Sequence, residues 1–410
     1  MRGLKGICTQ EILSLEALSV IQLCTINETL FPNLKTLDFL RVHRAFVPSI
    51  SLFLSPTTTS IILRFHESDP PEATVVGSLV TTFPKLCPEL REIVLHFLPR
   101  DPIITAAVSG MVLATNRNKL QLFHANSPLT EEAGEVLYKL SSLRMLSVVI
   151  ERETSLTRAS LPNLTELVIR CENEGDWPRL FHRATFGKLE FVTFHPQSEE
   201  IGDFLGAFER VALSSSLQNT LSKFRVSTSC SWNPNYSSLL SFTQLVVLNI
   251  GFSCDDGCSS TVDDDIVIDL SQTMTKLRVL KLGGNPCGES TMGVTAKGLT
   301  ALALGFPDLR CLRIHFQVAS LSASPANPGI SRDVEPTGSQ VDCALWELAV
   351  GEIVVPEESV LTVALTLLRI FPRIGIIHFV NDGWRRVEDA IQLSKQIHDY
   401  SSEHRCLATP

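Results

Sequence analysis

The sequence lacks an apolar run long enough to cross a bilayer, for which about 18 uninterrupted residues are needed. Its best run, Leu361–Leu368, is closed off by Arg369. The N-terminus is basic, but polar residues from Thr9 onward interrupt any apolar signal segment. We therefore expect no membrane contact and a cytoplasmic or nuclear location.

The sequence also lacks an excess of basic charge. Its 35 Lys and Arg residues stand against 44 Asp and Glu residues, which gives a formal net charge of −9. Nonspecific nucleic-acid binding depends on basic side chains that neutralise phosphates, so we expect no nucleic-acid partner. With 410 residues, 44% of them hydrophobic, the chain can form either several compact domains or one elongated repeat array.

Catalytic and metal-binding motifs are missing as well. There is no G-x-S-x-G elbow, no H-E-x-x-H pair and no G-x-x-x-x-G-K-S/T loop. Cys254 and Cys258 form a single pair without a second pair at zinc-like spacing, which favours a loop over a metal site. Asp263–Asp265 favours a helix start over a calcium site, and Gly283–Pro286 favours a turn after a strand. We predict no enzyme activity, no cofactor and no metal.

The eleven cysteines are odd in number and scattered. Cys171, Cys311 and Cys343 stand inside or beside apolar repeat segments. This pattern predicts reduced, buried thiols that act as small hydrophobic side chains.

A short motif of the form apolar-x-x-apolar-x-apolar recurs thirteen times. The spacing from 34 to 374 averages about 28 residues, close to the 20–29 residues of a leucine-rich repeat. Two copies, at Ser60 and Leu120, are weaker. The eleven clear copies begin at Leu34, Leu90, Leu143, Leu164, Leu189, Leu221, Leu245, Leu277, Leu309, Leu345 and Ile374.

The motif predicts an α/β leucine-rich-repeat solenoid, a curved horseshoe with parallel strands on its concave face and helices on its convex face. A single strand–turn–helix unit cannot bury its apolar side, whereas stacked units can. Helices are predicted at Thr130–Leu140, Asp203–Leu213, Thr295–Leu304 and Glu357–Ile370, where apolar residues follow a helical period.

Three segments are expected to differ from the array at 31–385. Residues 1–30 are expected to form a helical cap or a partial repeat. Residues 320–340 are rich in Ser, Pro and Gly and predict a flexible loop within one repeat. Residues 386–410 are expected to form a capping helix and a tail, since terminal repeats otherwise expose apolar surface.

Four repeat segments look like the leucine-rich repeats of fungal F-box proteins: FPNLKTLDF, CPELREIVLHF, LPNLTELVIR and TKLRVLKLGGN. The resemblance implies a substrate receptor of a cullin-RING ubiquitin ligase, with the substrate on the repeats. No Leu-Pro-x-Glu opening of an F-box precedes Leu34. The ligase adaptor is therefore expected as a partner only if an F-box lies upstream. The alternative is a free-standing inhibitor or assembly scaffold without a ubiquitin link.

The candidate binding residues lie at positions 3, 5 and 7 of each motif, which are expected to point to the concave face. Six of the ten histidines fall there: His66, His96, His124, His195, His315 and His378. The same positions hold six basic residues: Arg64, Arg170, Lys223, Arg225, Lys281 and Arg313. They also hold the acidic residues Asp38, Glu92, Glu166 and Glu347.

Two interpretations of these residues stay open. The histidines form either a pH-sensitive patch for an acidic or phosphorylated protein partner or simply the hydrated ends of short strands. The basic residues either steer a complementary partner or are ordinary solvated strand residues.

Overall fold

The computed structural model describes the chain with gaps. It covers residues 3–8, 20, 29–115, 119–150, 159–171, 178, 181, 184–196, 204–215, 217–229, 234–253, 262–283, 293–322, 343–351, 354–379 and 382–407. The Cys254–Cys258 pair, Asn285–Pro286, most of residues 1–30 and most of the 320–340 segment lie outside these ranges.

The chain divides into two compact units. Unit 1 comprises Met1–Ser198 and Arg210–Thr220, and unit 2 comprises Glu199–Glu209 and Leu221–Pro410.

Unit 1 contains a sheet of parallel strands whose spatial order follows the chain order. Its strands are β1 (Gly3–Cys8), β2 (Thr36–Val42), β3 (Ser60–Phe65), β4 (Glu92–His96), β5 (Leu122–Pro128), β6 (Met145–Ile150), β8 (Glu166–Cys171) and β10 (Phe191–Pro196). Two short strands, β7 (Ala159–Leu161) and β9 (Ala184–Phe186), pair in parallel in a separate sheet. The connecting segments are a 3-10 helix (Arg44–Phe53) and helices α1 (Ala73–Leu86), α2 (Pro102–Ala114) and α3 (Glu131–Leu137).

Unit 2 repeats the arrangement, again with parallel neighbours in chain order. Its strands are β11 (Lys223–Ser229), β12 (Val247–Ser253), β13 (Val279–Leu282), β14 (Cys311–Arg313), β15 (Glu347–Gly351) and β16 (Ile376–Phe379). Its helices are α5 (Asp264–Thr273), α6 (Ala296–Gly305), α7 (Val318–Ser322), α8 (Val360–Ile370) and α9 (Asp382–Leu407). Helix α4 (Phe204–Ser215) has residues in both units, and 3-10 turns lie at Leu217–Asn219, Tyr236–Leu239 and Glu357–Ser359.

The repeat motif accounts for the core of both units. Each of the thirteen copies leads into a strand, and motif positions 1, 4 and 6 turn toward the helices. In the second unit Leu248, Leu280, Leu312 and Leu348 are all fully buried, and each is in register with the next across neighbouring strands. The predicted leucine-rich-repeat solenoid, with parallel strands and with helices between them, is confirmed.

One predicted register is wrong. Ile61 pairs with Leu37 on one side and Ile93 on the other, so the second motif starts at Thr58 and not at Ser60. The fully buried Thr58 occupies the usual leucine position because its hydroxyl donates to the carbonyl oxygen of Leu34, at 3.0 Å. A polar residue can be buried there at little cost when it is hydrogen-bonded.

The four predicted helices are present, with ends shifted by a few residues. Asp263, the first residue of the predicted acidic helix start, is the N-cap of α5. Its carboxylate accepts a hydrogen bond from the backbone N–H of Ile266 at 3.0 Å. Helix α6 packs closely on α5, and a Cβ at Gly305 would lie 2.5 Å from the Ser271 carbonyl oxygen. This close approach requires glycine.

The two chain ends carry regular structure. In the N-terminal segment, β1 pairs with β2 in the manner of a repeat strand. At the C-terminal end, Trp384 of α9 is fully buried and its ring meets Phe316 edge-on, with centroids 5.7 Å apart. The proposed boundaries of the cap, the array and the tail stay predictions.

The cysteine prediction is confirmed for the described thiols. Cys87, Cys171, Cys311 and Cys343 are buried, and none of them forms a disulfide. Burial raises the pKa of the Cys87 thiol to about 11, against smaller opposing effects of hydrogen bonds from Thr58 and Ser55. Cys343 donates weakly to the Phe306 carbonyl oxygen, at 3.6 Å.

Candidate protein-binding faces

In each unit, positions 3, 5 and 7 of the motif lie on the sheet face opposite the helices. Strand β4 shows the alternation, since Ile93 and Leu95 are fully buried while Glu92, Val94 and His96 are partly exposed. We call the side with positions 3, 5 and 7 the open face. Helices that cover the other side contact the buried positions, as Phe208 of α4 does when it stacks on Phe224 with ring centroids 4.6 Å apart.

Histidines and arginines gather at one end of the open face of unit 1. Arg64 is in register with His96, and Arg170 is in register with His195. The rings of His96 and His124, on adjacent strands, have centroids 4.2 Å apart. We call Arg64, His96, His124, Arg170 and His195 the imidazole–arginine cluster.

The corrected register changes the predicted membership of this cluster. Arg64 occupies position 7, beside His96, instead of the predicted His66. His66 follows β3, and its backbone N–H donates to the Val42 carbonyl oxygen at 3.2 Å. The predicted run of three histidines on successive strands is therefore replaced by Arg64, His96 and His124.

The adjacent rings of His96 and His124 are tilted by 48° to each other, and both groups have a lowered pKa. Burial, followed in smaller steps by His96, Arg170, His195 and Arg64, lowers the pKa of His124 to about 3. Burial, followed by the charges of Arg64 and Arg170, lowers the pKa of His96 to about 4. Their imidazoles therefore act at pH 7 as neutral hydrogen-bonding groups among cations.

Among the buried polar atoms without a hydrogen-bond partner in the described residues, two belong to facing residues of adjacent strands: His124 Nε2 and Ser147 Oγ. Their side chains are 7% and 1% exposed. His124 and Ser147 stand directly opposite each other on β5 and β6. Buried polar groups normally have partners, so this pair is an exception that needs an explanation.

A cleft opens beside the cluster, with a volume of about 530 Å³. Arg170 and Arg100 both line this cleft. Burial, followed by the charge of Arg100, lowers the pKa of Arg170. Its lining also includes Asp101, Thr105, Asn126 and Thr130.

Apolar side chains occupy several other positions of the same face. They are Ile62, Val94, Leu122, Met145, Val168 and Phe191, which we call the apolar strip. All but Val168 are partly exposed. These residues were not among the predicted binding residues, which were restricted to charged residues and histidines at positions 3, 5 and 7. The sequence does contain a signal for them, because apolar residues at positions 3 and 5 are not needed to form the buried core.

The open face of unit 2 carries a line of cations. Arg225, Lys281 and Arg313 all occupy position 5, and we call them the basic row. Asn249 stands between the first two, and neighbouring strands lie about 4.8 Å apart. Lys223 is two residues before Arg225 on the same strand, so it shares this face.

Acidic and histidine side chains border the basic row. His378 Nε2 lies 3.3 Å from the carboxylate of Glu347. Burial raises the pKa of the Cys311 thiol; Lys281 opposes this shift and Glu347 adds to it. His315, at position 7, packs against Gly293, and burial lowers its pKa. His315 therefore contributes to packing at this end of the face.

Two classes of site were tested on the described residues. In that part of the chain, no group of three or more His, Cys, Asp or Glu side chains could hold a metal ion. None of the helices within it combines the length and the apolar character needed to cross a membrane.

Comparisons with known proteins add little. No protein-family model matches the sequence, and no curated protein matches it. Among solved structures, an internalin (inlF) from Listeria monocytogenes is similar over 88% of this chain and 74% of its own, with 11% identity and a TM-score of 0.29. A similarity at that level carries no argument, so the fold assignment rests on strand register and burial. A leucine-rich-repeat fold of this kind suggests a protein-interaction scaffold.

Proposed function

We propose that the protein is a non-enzymatic scaffold that binds a protein partner on the open faces of its repeat units. The observation that carries this proposal is the apolar strip. Partly exposed apolar side chains on a sheet face that the unit's own helices do not cover are typical of interaction sites. Repeat proteins use such long sheet faces for binding.

The charges of the open faces support an acidic partner. Positions 3, 5 and 7 hold six Arg and Lys residues against four acidic ones, in a chain whose net charge is −9. Such segregation of charge speeds the encounter with a complementary surface and disfavours other partners. Two of the four acidic residues have a basic neighbour. Asp38 lies 3.3 Å from Arg64, and Glu347 lies 3.3 Å from His378.

The resemblance of the repeats to fungal F-box proteins extends this proposal to a substrate receptor of a cullin-RING ligase. Only the four repeat segments quoted above support this extension. A free-standing inhibitor or assembly scaffold is the alternative. Purification from the native cell, with and without any upstream coding sequence, separates the two, because only a ligase receptor co-purifies the cullin adaptor.

Charge reversal of the basic row tests the binding proposal. We expect Arg225→Glu, Lys281→Glu and Arg313→Glu together to weaken partner capture, because an acidic partner then meets like charges. Capture is measured by affinity purification with mass spectrometry from the native cell, with the circular dichroism spectrum and melting temperature compared in parallel. Unchanged capture of the same partners by this folded variant would contradict the proposal.

A matched control changes the same total charge on the helices. Lys297 of α6, Arg369 of α8 and Arg385 of α9 are exposed. Their joint replacement by glutamate should leave capture intact. If both variants lose the partner equally, net charge and not the open face is responsible.

A further inference from the structure

The unpaired atoms of His124 and Ser147 point to a ligand. Both atoms are buried on the open face of unit 1, in register on adjacent strands. An unpaired buried donor destabilises the folded protein. The Ser147 hydroxyl can donate one hydrogen bond, and the neutral His124 imidazole can donate from Nε2 when its proton is there. A ligand that supplies acceptor oxygens would satisfy both.

The surrounding charges select an anion. Arg64, Arg170 and His195 all contribute to the electrostatic environment of His124, and Arg100 adds positive charge near Arg170. A metal cation is therefore disfavoured here, whereas an anion gains from these basic neighbours.

The nearby carboxylates offset only part of this field. Asp38 pairs with Arg64 at 3.3 Å and so compensates the charge of that arginine, and Asp101, which lines the cleft, accepts a hydrogen bond from the backbone N–H of Ile103 at 2.7 Å as a helix cap. Glu92 and Glu166 occupy position 3, about 13 Å along the strand from the cluster members at position 7 and about 7 Å from the level of His124 and Ser147 at position 5.

We propose that His124 and Ser147, together with Arg170 and Arg100 of the neighbouring cleft, bind the dianion of a phosphate monoester. This inference deepens the proposed function and rests on it for the source of the phosphate, a phosphorylated side chain of the bound protein. A free organic phosphate has the same chemistry, and the test below distinguishes the two sources.

The number and kind of donors favour a phosphate over a carboxylate. A phosphate monoester carries a charge close to −2 at pH 7 and three terminal oxygens that accept strong hydrogen bonds. Arginine matches this geometry with two parallel N–H groups. Two arginines, an imidazole and a hydroxyl exceed what the two oxygens of one carboxylate use, and the cleft of about 530 Å³ has room for the ester group.

The test is a titration of the full chain, labelled with ¹³C at histidine, with inorganic phosphate at constant ionic strength. We expect a saturable shift of the His124 and His96 ring signals. Arg170→Lys retains the charge but loses the paired donors, and should weaken phosphate binding about tenfold. The matched control Arg369→Lys, at an exposed position of helix α8, should leave binding unchanged.

A second variant separates a ligand site from a packing defect. Ser147→Ala removes the unpaired hydroxyl, so we expect the melting temperature without phosphate to stay equal or rise while phosphate binding weakens. The proposal would be overturned if tens of millimolar phosphate gave no saturable shift, or if Arg170→Lys and Ser147→Ala bound phosphate as well as the parent chain.

Degenerate peptides with phosphoserine or with serine identify the source. Phosphopeptides that bind at least tenfold more tightly than inorganic phosphate indicate a phosphorylated protein, and equal binding indicates a free organic phosphate. Failure of this inference can be distinguished from failure of the proposed function. A chain that captures its partner through the basic row but does not bind phosphate refutes this inference alone. A chain that binds phosphate but keeps its capture after charge reversal of the basic row refutes the proposed function alone.

Discussion

Leu248→Ala is expected to lower the free energy of unfolding by about 2–5 kcal/mol. Leu248 is fully buried and stands in register between Phe224 and Leu280 in the stacked core of unit 2. Truncation removes buried apolar atoms and leaves a cavity that neighbouring strands fill only in part. Urea denaturation followed by circular dichroism measures the change.

Val247→Ala is the matched control, because Val247 precedes Leu248 on the same strand and points to the open face, where it is only partly buried. We expect a loss below about 1 kcal/mol for it, as is usual for sites away from the core. Equal losses for the two variants would contradict the assignment of core and open face in β12.

The free energy of unfolding is expected to fall between pH 7 and pH 5, with about 2 kcal/mol of the loss due to His124. In the folded protein, burial and then neighbouring cationic groups hold the pKa of His124 at about 3, whereas an unfolded histidine titrates near 6.5. The unfolded chain therefore binds a proton first as the pH falls. This contribution to stability is complete above pH 6.5 and is lost progressively towards pH 3.

His124→Asn isolates this effect, because asparagine does not titrate. Its free energy of unfolding, measured by urea denaturation at pH 7 and pH 5, should depend less on pH than that of the parent chain. His378→Asn is the control, because the side chain of that histidine is 59% exposed. This variant should keep the pH dependence of the parent chain. A pH dependence that His124→Asn leaves unchanged would show that His124 titrates alike in the folded and unfolded chain.

The fold could be predicted from the sequence because its core repeats. Leucines at positions 1, 4 and 6 specify a strand and the side that it buries, and thirteen copies fix the order of neighbours. The prediction was wrong at Thr58, where hydrogen bonds take the place of an apolar side chain. Helix α2 was also missed, since its residues from Ile103 to Leu113 are apolar on nearly every side and show no helical period.

The candidate site was predictable only in part. Motif spacing placed Arg170, His195 and the basic row on the open faces without any structure. The contact between His96 and His124 needed the true register, because they stand at positions 7 and 5 on adjacent strands. The neutral state of His124 and the missing partner of Ser147 follow from burial by several neighbours, which sequence spacing alone does not specify.

The most direct test of the account is site-specific photo-crosslinking in the native cell. A photoreactive phenylalanine analogue at Val94 or Asn249 samples the open face of each unit, and the same analogue at Leu113 or Leu304 samples exposed helix positions, which are 41% and 51% exposed. We expect Val94 and Asn249 to crosslink to a common protein partner and the helix positions to give no such product. Crosslinks to that partner from Leu113 or Leu304, with none from Val94 and Asn249, would contradict binding at the open faces.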